Sequence, residues 1–561
     1  MESQPPRNCT VLVVGGGPAG SYCASVLARE GIDTVVLEAE VFPRYHVGES
    51  MLPSIRHFMR FIDCDEKFDA HGFRIKGCHV QAQLQATWMF VYSQLPSREA
   101  LLTRATATDF VAAGGPQGYA YNVVRSESDE ILFRHAGESG AHIYDGFKVK
   151  TVDFVPSGLP RSTDPECEIP DPGRAKSATW TRSKDGASGV VNFDYLVDAS
   201  GRQGLMSTKY LKNRQMNPGE QLQSIANWGY WTNGGTFGIG TAQEGNPYFE
   251  SLHDGSGWAW YIPLHNGQCS VGVVRNQKVL AQKKRETGLD SKAIYLDTLK
   301  HNAGMRDLLA AATLLSDVKS ASDWSYNAPA YASPYVRIAG DAGCFVDPFF
   351  SSGVHLALNA GLSAATTICA SIKGQVSELA AATWHSKKVA ASYTRFLIVV
   401  SSALKQILEG EEPVIADYDE QSFERAFQHF RPVIQGSVDV SANLSQAEVM
   451  RTLNFCMGAL ASNEVPEKEA LLQKLRTLAV SDDSGAISDE KYMLAMKEAE
   501  TILTAEQLDY LNSIRKNETL IPDDIVNLDS TGFDVLDGFS ANLIRGHLGL
   551  IEPKMTSVVA Y

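Results

Sequence analysis

Residues 10–38 read TVLVVGGGPAGSYCASVLAREGIDTVVLE. Thr10–Val14 is a β-rich run, the pattern of a strand. Gly15-Gly16-Gly17-Pro18-Ala19-Gly20 follows, and an alanine-containing helical stretch runs on to Glu30. A second apolar strand, Thr34–Leu37, ends in Glu38, 21 residues after Gly17. Strand, glycine turn, helix, strand and acid, in that order, make a βαβ unit suited to a dinucleotide. Gly15, Gly16, Gly17, Ala19 and Gly20 keep side-chain bulk away, so the backbone can approach a pyrophosphate resting on the positive end of the helix. Glu38 stands where an acid hydrogen-bonds ribose hydroxyls. The pattern leaves open whether the dinucleotide is FAD or NAD.

Outward from this unit, the 561 residues allow two to four domains, and 44% hydrophobic with 20% charged residues is a globular composition. Fifty Lys+Arg against 65 Asp+Glu give a net charge of −15. That balance argues against nucleic acid and against anionic lipid, and favours a small-molecule partner. Nine cysteines without a CxxC pair or an even framework read as reduced, buried thiols. MESQPPRNCT lacks the apolar core of a signal peptide, and runs such as Phe396–Val400 fall far short of the ~20 residues needed to span a bilayer. A cytoplasmic chain with no membrane span is expected. No spacing among the 13 His suggests a metal site, so none is expected, and no GxSxG elbow supports a hydrolase.

Two further pieces favour FAD. Arg44-Tyr-His-Val-Gly-Glu49-Ser50 follows the second strand, where Glu49 could face the flavin half of the cofactor. Ala339-Gly340-Asp341-Ala342 follows a late strand, where Asp341 could bind the ribityl–phosphate segment. Either piece alone is compatible with ordinary loop chemistry. Together with the glycine turn they resemble the flavoprotein monooxygenase superfamily of the aromatic-hydroxylase type. Arg125, in Tyr-Asn-Val-Val-Arg-Ser-Glu, matches that superfamily's flavin-contacting Arg; the other reading is a surface ion pair.

Three segments narrow the resemblance. Gly257-Trp-Ala-Trp-Tyr-Ile-Pro263 is similar to the GWxWxIP signature of flavin-dependent halogenases. Phe345-Val-Asp-Pro-Phe-Phe-Ser-Ser-Gly353 fits their FxxPxxSxG motif at every fixed position. Gly72-Phe-Arg-Ile-Lys76 resembles the segment carrying the catalytic Lys of the fungal branch, and residues 42–54 and 108–116 look like fungal phenolic halogenases almost residue for residue.

The resemblance implies an α/β fold, with a βαβ (GxGxxG) FAD-binding core of the aromatic-hydroxylase type, a β-rich substrate domain and a helical C-terminal region. The expected boundaries are 1–205 with 321–375, 206–320, and 376–561. It implies FAD used as FADH2, with O2 and chloride or bromide. A flavin hydroperoxide attacked by halide would give hypohalous acid. Only one dinucleotide unit is present, so a separate flavin reductase is the expected partner.

By the same resemblance, Gly353 and Val354 lie against the flavin, and the N–H groups of Ser352 and Gly353 hold chloride. Lys76 holds HOCl or becomes a chloramine. Trp258 and Trp260 line a partition that keeps substrate from the flavin, although alternating aromatics on a strand also read as plain core. Tryptophan-specific relatives carry a Glu directly before the Ser of the second motif, where Phe350 stands here. That points to a phenolic ring, free or carrier-bound, of an aromatic polyketide in a fungal secondary pathway. Residues 77–107 depart from the fungal pattern as an insert beside Lys76. Two alternatives remain at this stage: an FAD-dependent aromatic hydroxylase, and a catalytically impaired flavin-binding homologue.

Within the rest of the chain, Pro156–Lys176, with five prolines, reads as an exposed loop, and 189–198 as a strand entering Asp198-Ala-Ser-Gly-Arg202. The aromatic and β-branched stretch 223–275 reads as antiparallel sheet. A helix is predicted from Gly353 to Ile372.

Overall fold

The computed structural model describes residues 4–79, 82–83, 108–109, 119–162, 164, 167–217, 223–241, 243–408 and 535–552. Strand Asn8–Val14 lies at the centre of an eight-stranded sheet, parallel to Thr34–Glu38 on one side and to Ser188–Asp198 on the other. His142–Asp145 and Val336–Ile338 extend the parallel array, and Phe147–Val155 and Arg174–Arg182 join it as antiparallel strands. Every residue of Thr34–Glu38 is buried, as its unbroken apolar run requires.

The first crossover is helix Pro18–Arg29, with Pro18 at its opening position, where the missing N–H costs nothing. Ala19, Tyr22, Cys23 and Val26 recur at helical spacing and are buried. The helix packs against Arg125–Glu138 and against Gly353–Ile372. Gly353–Ile372 is, among the described residues, the one helix long and apolar enough to cross a membrane, and it lies almost wholly inside the fold. Helix Glu378–Leu408 follows and is pinned by Glu378, whose carboxylate takes Arg337 Nη1 at 2.8 Å and Nη2 at 3.2 Å.

A second, seven-stranded sheet is built from Gln223–Thr232, Gln268–Asn276, Gly257–Pro263 and Tyr248–Ser251 in that spatial order, with shorter strands at its edges. The neighbours among these four are antiparallel, as the sequence pattern implies. Its strand Lys319–Trp324 pairs with Gln223–Thr232 and carries the sheet past residue 320.

Two stretches differ from expectation. The loop 156–176 is not wholly exposed: Cys167 and Ile169 are buried against Ala330, Ala332 and Ala382, because apolar side chains between prolines still find a core. Arg174 already begins a strand. Near the C-terminus, Ser540–Asn542 and Gly549–Ile551 form an antiparallel pair where helix was expected. Gly546, at φ +80°, turns the chain, and Leu548 and Leu550, two apart, are buried in the main core. Residues 409–534 of the expected helical region lie outside the described residues, as do most of the 77–107 insert and of 108–116. Cys9, Cys23, Cys64, Cys167, Cys269, Cys344 and Cys369 are free and buried.

Candidate functional site

The glycine turn is built by close backbone approach. A Cβ on Gly15 would lie 2.1 Å from the Ala199 carbonyl oxygen, and one on Gly20 would lie 1.9 Å from that of Gly15. Those gaps admit glycine alone. Ala19 is packed under Gly340 and Gly361, which brings the 340–342 turn and helix Gly353–Ile372 onto the start of the first helix. No side chain caps that helix, so its N-terminal N–H groups remain for an anion. Glu38 reaches the turn: Gly16 N–H donates to its Oε2 at 2.6 Å and Glu40 N–H to its Oε1 at 2.9 Å. Arg44 stands close to Gly17 and pairs with Asp129 at 3.3 Å.

Arg125 opens its helix and is buried. Its Nε and Nη2 donate to the two oxygens of Asp129 at 2.9 and 3.1 Å, and Nη1 donates to the carbonyl of Val47 at 2.9 Å. The ion pair allowed for at this position therefore exists, but inside the protein, where it fixes the 44–50 loop. The imidazole of His46 is pushed down to about 4, chiefly by the neighbouring Arg125 charge. Glu49 is buried, and Tyr230 donates to its Oε1 at 2.5 Å. Burial raises the Glu49 carboxyl above its ordinary value, opposed by the Tyr230 hydrogen bond. Desolvation likewise raises Asp341, while Arg202, Arg125 and Arg214 pull it back.

The 345–353 motif folds as a capped turn. Asp347 accepts the Phe349 N–H at 3.0 Å and the Ser224 hydroxyl at 3.2 Å, and Ser351, at φ +57°, redirects the chain into helix Gly353–Ile372. Ser352 Oγ is buried without a hydrogen-bond partner, and a Cβ on Gly353 would meet nothing within 4 Å. Val354 is buried beside it. Trp258 and Trp260 share one face of their strand in the main core; Ala259 and Tyr261 face another. Trp258 meets Phe349 edge-on at 5.1 Å, and Trp260 lies across Gly272, where a Cβ would fall 2.1 Å from its ring.

Lys76 is completely buried at the end of strand Arg74–Lys76, which pairs with Ala120–Asn122. Its Nζ donates to Ser50 Oγ at 2.8 Å and to the Met51 carbonyl at 3.0 Å. Ser50 follows Glu49, so the amine and the Glu49 carboxylate are held by one segment.

The residues present fit a bound flavin dinucleotide. The uncapped helix end, the open space at Gly353 and the unpartnered Ser352 hydroxyl are surfaces that a ligand completes. Sequence reasoning missed Tyr230, Tyr45 and Trp228, whose hydrogen-bonded cluster ends on Glu49. Tyr230 and Trp228 come from another sheet, Tyr45 from the same loop as Glu49, and no local signal links the three. Asp129 was legible as the i,i+4 partner of Arg125.

This arrangement defines a flavin-binding protein of the aromatic-hydroxylase fold. The family model described as tryptophan halogenase matches residues 10–79 and 79–468. The chain is 50% identical to flavin-dependent halogenase ascD of Acremonium egyptiacum over 98% of this chain and 94% of that protein. It is 47% identical to sulochrin halogenase gedL of Aspergillus terreus, over 97% and 93%. Among solved structures, that of CmlS, a flavin-dependent halogenase, superposes with a TM-score of 0.60 at 26% identity, over 84% of this chain and 79% of that one. The chain belongs to the flavin-dependent halogenase family and is a halogenase of the fungal kind.

Proposed function

We propose that the enzyme chlorinates or brominates a phenolic ring of an aromatic polyketide in the fungal cytoplasm, with Lys76 delivering the halogen. The observation that carries the proposal is the Lys76 amine, sealed from solvent and held by Ser50 Oγ and the Met51 carbonyl on the segment that also bears Glu49. FAD, supplied as FADH2 by a separate reductase and meeting O2 and halide, furnishes hypohalous acid when bound. The glycine turn and Glu38 would hold its ADP half, and Glu49, Arg125, Asp341, Gly353 and Val354 would hold the flavin half. The N–H groups of Ser352 and Gly353, at a helix start, favour a halide there. Trp258 and Trp260 exclude the substrate from the flavin, which disfavours direct oxygen transfer.

At Lys76 an ammonium N–H donated to the oxygen of hypohalous acid polarises the halogen–oxygen bond. The phenol ring attacks the halogen, that bond breaks, and the oxygen leaves as water with the Lys76 proton. The ring carbon then gives up its proton, which recharges the amine. Phe350, buried against Phe349, leaves no carboxylate at that position to assist a less activated ring. A phenol supplies its own electron density. The sulochrin halogenase relative supports this substrate class. The separate domains, 1–205 with 321–375 for FAD, 206–320 for substrate and 376–561 as a closing region, belong to the same reading.

Purified enzyme with FAD, a generic flavin reductase, NADH and chloride or bromide, offered a panel of resorcylic, anthraquinone and dihydroisocoumarin phenols, tests it by mass spectrometry. A halogen isotope pattern that disappears without halide is expected. Oxygen addition independent of halide would mean hydroxylation instead.

A further inference from the structure

The sequence spacing of histidines gave no hint of a metal centre, yet the fold brings two histidines and a glutamate together from three elements. His71 ends helix Asp65–His71, Glu127 lies in the first turn of helix Arg125–Glu138, and His265 sits in the turn between strands Gly257–Pro263 and Gln268–Asn276. His71 Nε2 lies 2.7 Å from Glu127 Oε2, and His265 Nε2 lies 3.2 Å from the same oxygen. One ligand atom from each of the three falls within 4.8 Å of the others. Bonds of 2.0–2.2 Å to a tetrahedral ion place ligand atoms about 3.4 Å apart, so small side-chain shifts suffice.

Phe73 holds both imidazoles in place, its ring centroid 4.3 Å from that of His71 and 5.4 Å from that of His265. The three side chains keep roughly a fifth to a third of their surface exposed, which leaves an entry path and an open fourth position. Two imidazoles and one carboxylate suit borderline ions such as Zn2+ or Co2+, whereas Mg2+ and Ca2+ prefer all-oxygen sets.

We propose that His71, Glu127 and His265 form a binding site for one borderline divalent metal ion, Zn2+ foremost. The ion clips together three segments that also carry machinery of the halogenase site. Glu127 lies two residues beyond Arg125, His71 five before Lys76, and His265 directly after the strand bearing the two tryptophans and Leu264. The site is independent of the halogenation reading, and its test does not use activity.

Full-length protein is titrated with Co2+ and the visible d–d absorption followed, with Zn2+ as competitor and Mg2+ as control. One Co2+ per chain is expected, displaced by Zn2+ and not by Mg2+, without the near-ultraviolet band of a thiolate ligand. His265→Ala, His71→Ala and Glu127→Gln, each first checked for an unchanged metal-free melting temperature, should weaken binding by roughly a hundredfold, since loss of supporting partners alone costs 10- to 100-fold. Zn2+ should raise the melting temperature of the wild type and of none of these variants. No saturable Co2+ or Zn2+ uptake, or uptake unchanged in the folded variants, would overturn the proposal.

Discussion

At the scale of single residues, the site rests on positions where one atom more cannot be placed. Gly20→Ala sets a methyl against the Gly15 carbonyl, and the rigid turn leaves it no room. Overpacking of this kind costs about 1–3 kcal/mol. A lowered melting temperature and weakened FAD binding are expected together, read by thermal denaturation and by flavin fluorescence. The glycines, Ala19 and Glu38 were legible because a phosphate-binding turn imposes local chemistry on consecutive residues. Lys76 was legible only by resemblance: a lone lysine carries no local mark of burial, and its partners Ser50 and Met51 lie some 25 residues away. The Tyr230–Glu49 contact, between elements 181 residues apart, had no sequence signature at all.

At the scale of elements, the strands and helices with unbroken periodicity were legible. Those decided by burial against distant partners were not. Thr34–Glu38 and Gly353–Ile372 follow from apolar runs, whereas Cys167 and Ile169 are buried because Ala382, on a later helix, comes to meet them. The C-terminal strand pair was hidden for the same reason: Leu548 and Leu550 alternate over too short a span to outweigh a helical neighbourhood. Docking of helix Glu378–Leu408 depends on the buried Arg337–Glu378 pair. Glu378→Ala strands the Arg337 charge and removes the acceptor of the Tyr335 N–H. A loss of about 3–5 kcal/mol is expected, measured by denaturant unfolding; a change under 1 kcal/mol would show that the pair does not hold the helix.

At the scale of the whole molecule, acid should act through the buried His385, which joins helix Gly353–Ile372 to strand Val336–Ile338. His385 hydrogen-bonds Ser363 Oγ and the Ile338 carbonyl through its two ring nitrogens, and burial, with the Arg337 charge, lowers it from 6.5 to about 3. As pH falls below about 6.5 the unfolded chain takes up this proton and the folded chain does not, so stability falls between pH 6.5 and 3. The slope from one proton is at most about 1.4 kcal/mol per pH unit. Buried carboxyls raised in the fold, such as Glu49 and Asp198, act with the opposite sign. Comparison with His385→Gln isolates the histidine: its melting temperature should depend less steeply on pH across this window, and equal slopes would refute the assignment.

The fold class and the cofactor class were legible, because two signature motifs and the glycine turn converge on one fold. Delivery of halogen through Lys76 is the central claim. Its most direct test supplies wild type, Lys76→Ala and Lys76→Met with FAD, reductase, NADH, bromide and an accepted phenol, and quantifies brominated product by mass spectrometry alongside FAD affinity. Wild type should brominate, while both variants should bind FAD normally and yield little or no product. A variant that binds FAD and brominates at the wild-type rate would contradict the account.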